Sequence, residues 1–63
     1  MWTVVYMANT RKDAEKVEEI LVKEGFLVKI KPISKNNTEG TCEILVPRSE
    51  AAEVHSILMQ HGI

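Results

Sequence analysis

Thr41-Cys42-Glu43-Ile44-Leu45-Val46-Pro47 is the stretch whose reading decides the fold. Cys42, Ile44 and Val46 alternate with Thr41, Glu43 and Leu45, the two-residue period of a strand with one apolar side and one mixed side. Pro47 stops it, and a helix start follows. We read it as the middle strand of a three-stranded sheet, with Trp2 to Met7 on one side and Phe26 to Lys31 on the other.

The bulk of the chain sets limits on that reading. Sixty-three residues make one domain, 1–63, with a single small core. Hydrophobic residues at 44% and charged residues at 27% are the balance of a folded chain, not a disordered one. A net charge of −1 with interleaved signs gives no electrostatic footprint for nucleic acid or an anionic membrane. Cys42 is the only cysteine, which rules out an internal disulfide and fits a reducing, cytoplasmic setting. The N-terminal stretch lacks secretory-signal patterning, and no apolar run is long enough to span a bilayer.

Outward from the central strand, Trp2-Thr3-Val4-Val5-Tyr6-Met7 is β-branched and aromatic, as strands are. Both of its faces are apolar, and we place Trp2, Val4 and Tyr6 inward because Thr3 suits water better. Thr10 and Asp13 have capping-box spacing, so a helix is expected over about residues 11–24. Its apolar stripe is Ala14, Val17, Ile20 and Leu21, and Glu19 and Lys23 form an i,i+4 pair. Gly25 supplies a left-handed helix stop, with Phe26 folding back on Leu21. Phe26, Val28 and Ile30 then share one face of a strand that Pro32 confines to a sheet edge. Residues 34–40 are polar turn chemistry. After Pro47, Ser49 is the expected N-cap of a second helix with Ala51, Val54, Ile57 and Leu58 as its buried stripe and Gly62 as its stop.

The order strand, helix, strand, strand, helix predicts an α+β domain. Parallel first and second strands with the third inserted antiparallel between them give a sheet of order 2-3-1. This is the ferredoxin-like split βαβ plan without its last strand, both helices on one face. It leaves one sheet face bare and one edge of the first strand unpaired, which predicts a homodimer.

The chain offers little for bond chemistry. His55, His61 and Cys42 do not complete a zinc site, and no nucleophile stands at recognisable spacing from a base. No cofactor motif is present, and we expect no enzyme. The chain is expected to be a small regulatory or protein-interaction module acting through its open sheet face and the free edge of the first strand. The expected interaction surface is Trp2, Val5, Met7, Lys29, Glu43 and Leu45. A second reading is a sensor of a small anion or nucleotide, held between loop 34–40 and the start of the second helix by Arg48, Ser49 and free backbone N–H groups.

Trp2 with Val4-Val5-Tyr6, Ala14-Glu15, Glu24-Gly25, Glu43-Ile44-Leu45-Val46-Pro47, Ser49-Glu50-Ala51 and Ile57-Leu58 together resemble a small bacterial family of signal-transducing proteins. That family is distantly related to the PII nitrogen regulators, and the resemblance spans nearly the whole chain. It implies the β-α-β-β-α fold and a role in signalling; the family has no established reaction. PII regulators bind ATP and 2-oxoglutarate through a long loop. The corresponding loop here is short and has no tyrosine, so no binding residue is carried over.

Overall fold

The computed structural model describes residues 1–33 and 40–63. The elements are β1 (Trp2–Ala8), α1 (Arg11–Lys23), β2 (Lys29–Pro32), β3 (Cys42–Pro47), a 3₁₀ turn (Arg48–Glu50) and α2 (Ala51–Gln60). The sheet order is β1-β3-β2, which from the opposite edge reads 2-3-1. β3 pairs antiparallel with both neighbours, so β1 and β2 run parallel on either side of it.

Helix α1 forms where its signals place it. The Thr10 hydroxyl accepts the Asp13 backbone N–H at 3.1 Å, satisfying one of the orphan donors of the first turn. At its other end Gly25, at φ +91°, donates to Val22 O, and Phe26 donates to Leu21 O, the paired bonds of a Schellman ending. Helix α2 repeats that ending: Gly62 donates to Met59 O and Ile63 to Leu58 O. The start of α2 differs from expectation. Ser49 lies exposed within the 3₁₀ turn, and no side chain caps either that turn or α2. The abrupt exit from Pro47 is absorbed by tighter i,i+3 winding, so the position expected for the cap already lies inside the turn.

Among the described residues one core holds the layers together. Ala14, Val17 and Leu21 of α1 and Val54 and Leu58 of α2 are buried with Cys42, Ile44 and Val46 of β3 and with Ala8. Both helices therefore cover the same face of the sheet. Cys42 is 1% exposed, and its thiol donates to Gly40 O at 3.1 Å, an inert packed position.

Two strand expectations are corrected. The ladder of β2 covers Lys29–Pro32, not Phe26 to Lys31. The Ile33 N–H bond to Thr41 O fixes the hydrogen-bonding phase, which places Pro47 opposite Leu27 where an N–H would be needed. The ladder stops short of that pair. Phe26 and Val28 still pack on the core, as their alternation requires.

The second correction concerns β1, which carries a bulge. Val4 pairs with Leu45 and Tyr6 with Ile44, leaving Val5 as the extra residue. Strict alternation fails there: Thr3, Val5, Tyr6 and Ala8 all turn towards the core side, while Trp2, Val4 and Met7 are exposed. Of the three residues expected inward, only Tyr6 is; Trp2 and Val4 lie on the bare face.

Candidate interaction face

The sheet surface opposite the helices is built by the ladder pairs. Across it run Trp2 beside Pro47, then Val4 beside Leu45 beside Lys29, then Met7 beside Glu43 beside Lys31. Each row follows from alternation on β3, whose other residues Cys42, Ile44 and Val46 are fully buried. Trp2, Val4 and Met7 remain 39%, 41% and 50% exposed, large apolar groups left in water on one continuous surface.

Trp2 and Lys29 flank β3 from opposite strands, yet the Lys29 Nζ sits 4.7 Å from the centroid of the Trp2 ring. The indole therefore lies across the central strand with a cation on it. Such a contact contributes about 0.5–1 kcal/mol at an exposed site. Glu43 and Lys31 are direct cross-strand neighbours. Neither belongs to the ion pairs among the described residues, which are Arg11–Glu15 at 3.4 Å and Lys23–Glu19 at 3.8 Å on α1.

Five of the six residues expected at an interaction surface are brought together: Trp2, Met7, Lys29, Glu43 and Leu45 share this face. Val5 does not. It packs against the core at the bulge, and Val4 stands in its place. The sequence held no signal for that exchange beyond a strand apolar on both faces.

The expected anion site is less favourable. Arg48 and Ser49 are exposed, but the Arg48 backbone N–H already donates to Met1 O at 2.7 Å, extending the ladder instead of facing a ligand. Glu50 beside them has a buried carboxylate oxygen with no hydrogen-bond partner among the described residues. An acidic residue next in sequence to Arg48 and Ser49 does not favour an anion there. Positions 34–39 of the expected sensor loop lie outside the described residues.

A shallow groove of about 330 Å³ on α1 is lined by Lys12, Asp13, Glu15, Lys16 and Glu19, charges of both signs on a solvated helix face. Among the described residues no cluster of His, Cys, Asp and Glu could hold a metal ion, and no helix is long and apolar enough to cross a membrane. No family model, curated protein or solved structure matches the chain.

Proposed function

We propose that this protein is a small non-catalytic regulatory or interaction module that works through the bare face of its sheet, as a homodimer in the cytoplasm. In this reading it is a ferredoxin-like split βαβ domain without its last strand, similar to the bacterial signal-transducing proteins related to PII regulators. One observation carries the reading: Trp2, Val4 and Met7 stay exposed on the same surface as Leu45, opposite the core that the helices cover. Fully burying one such side chain contributes about 1.5–3 kcal/mol, enough for several of them together to offset part of the cost of association.

Sedimentation equilibrium over a wide dilution series, on the wild type and on Leu45→Glu, tests it. Leu45 is half-buried in the middle of the face, so a charge there blocks docking while leaving the helix-side core untouched. A wild-type dimer that Leu45→Glu converts to monomer supports the reading. A wild type that stays monomeric throughout removes the homodimer. The sensor reading competes only if nucleotides or carboxylates raise the melting temperature of the wild type and not of Arg48→Ala.

A further inference from the structure

We infer that the occupant of the bare face is a second copy of the chain, docked sheet against sheet with the strands crossing near 90°, so that Glu43 of each copy meets the partner's Lys29. This rests on the interaction-module reading above and specifies its partner and geometry.

The edges of the sheet are poor docking sites. The Arg48 N–H bond to Met1 O fixes the phase of the β1–β3 ladder, so Trp2 and Val4 direct their backbone groups away from β3. Beyond the bulge the next residue to do so is Met7. The outward groups are thus spaced by two residues and then by three, and a regular incoming strand can match only one half. A bulge in an edge strand is one of the devices that prevents strand addition. At the other edge, β2 is short and ends in Pro32, which has no N–H to offer.

The face, by contrast, suits itself. A two-fold interface requires a surface complementary to its own copy, and this one has an apolar centre with both signs of charge beside it. Lys29 lies one strand across from Leu45, about 4.8 Å, and Glu43 one same-face step along, about 6.8 Å. Packed sheets prefer strand directions either nearly aligned or nearly perpendicular. With the two-fold axis passing by Leu45, an aligned pair sets Glu43 on the partner's Glu43, or Lys29 on the partner's Lys29, according to whether the axis follows the strands or crosses them. Like charges so apposed are unfavourable.

A perpendicular pair with a diagonal axis exchanges the two directions. Glu43 then falls within about 2 Å, measured in the sheet plane, of the partner's Lys29. Leu45 meets the partner's Leu45, and Val4 meets the partner's Pro47. Lys31 comes within about 3 Å, measured in the same plane, of the partner's Lys31. Both lie at the rim, where their long stems let the two ammoniums splay apart into water. The other diagonal would set Glu43 against the partner's Val4, a carboxylate buried on carbon. The Trp2 ring already holds the Lys29 ammonium on this face, which lowers the cost of ordering it.

The experiment is a charge exchange read by sedimentation equilibrium. Lys29→Glu alone and Glu43→Lys alone each create two like-charge contacts per dimer, and each is expected to weaken dimerisation at least tenfold. An equimolar mixture of the two variants restores opposite charges at both contacts and is expected to dimerise like the wild type, as is the double variant Lys29→Glu/Glu43→Lys. Circular dichroism confirms that each single variant is folded. If the single variants dimerise like the wild type, or the mixture no better than its components, this docking geometry is overturned. The bare-face reading then still stands if Leu45→Glu abolishes the wild-type dimer. A wild type that is monomeric at every concentration overturns the second copy as the occupant.

Discussion

Gly25 shows how much a single residue can determine. Its φ of +91° lies in the left-handed region, and both Schellman bonds of α1 depend on it. A methyl group added there would meet nothing within 4 Å, so the cost of Gly25→Ala is purely conformational. The variant should lose about 1–2 kcal/mol in urea unfolding, with the slope against denaturant unchanged. Gly40 is constrained differently. At φ +84°, its missing side chain leaves room for the backbone nitrogen of Arg11, which an added Cβ would approach to 3.2 Å. Trp2, like Val4 and Val5, lies on the other side from the one expected. An indole at a strand start suits either face, and only its neighbours decided for water and Lys29.

At the scale of elements, the two helices begin by different means. Thr10 caps α1 through its hydroxyl, whereas α2 grows out of a 3₁₀ turn with no side-chain cap. Thr10→Ala should therefore cost about 1 kcal/mol, and Ser49→Ala less than about 0.5 kcal/mol, in matched chemical denaturation. Equal losses would mean that Ser49 caps α2 after all. The helix stripes were legible because a 3.6-residue period repeated over several turns selects one face: Ala14, Val17 and Leu21 are buried, as are Val54 and Leu58. Ala51 and Ile57 pack partly buried against them, while Ile20 of the expected stripe is only half-buried. β1 was not legible in the same way. With valines on both faces, its alternation fits either orientation, and the bulge at Val5 serves both in turn.

For the whole molecule, stability rests on a very small interior. A chain of this length has about 3–9 kcal/mol to lose. Ile44 is 0% exposed at the centre of the middle strand, within the core and flanked by both neighbouring strands. Ile44→Ala removes buried contacts worth about 2–5 kcal/mol and should leave a chain that is largely unfolded or melts far below the wild type. Dimerisation couples to the same balance. If the bare face docks a second copy, the melting temperature rises with protein concentration for the wild type and is independent of it for Leu45→Glu.

Capping groups, left-handed glycines and periodic stripes act over a few neighbouring positions, so the elements, their order and most of what the helices bury were legible along the chain. The sequence by itself also marked β3 as central, since a crossover from β1 through α1 leaves a gap between parallel strands that the next, antiparallel strand fills, and Pro32 confines β2 to an edge. Which side chains of β1 face water, where the β2 ladder stops and how α2 begins were decided only by tertiary structure. Each depends on a residue distant in sequence. Leu45 and Ile44 set the phase on either side of Val5, Pro47 withholds the N–H that Leu27 would need, and Met1 takes the N–H of Arg48. Hydrogen bonds between strands are formed pair by pair across the sheet, so their register belongs to the assembled fold and not to any one stretch of chain.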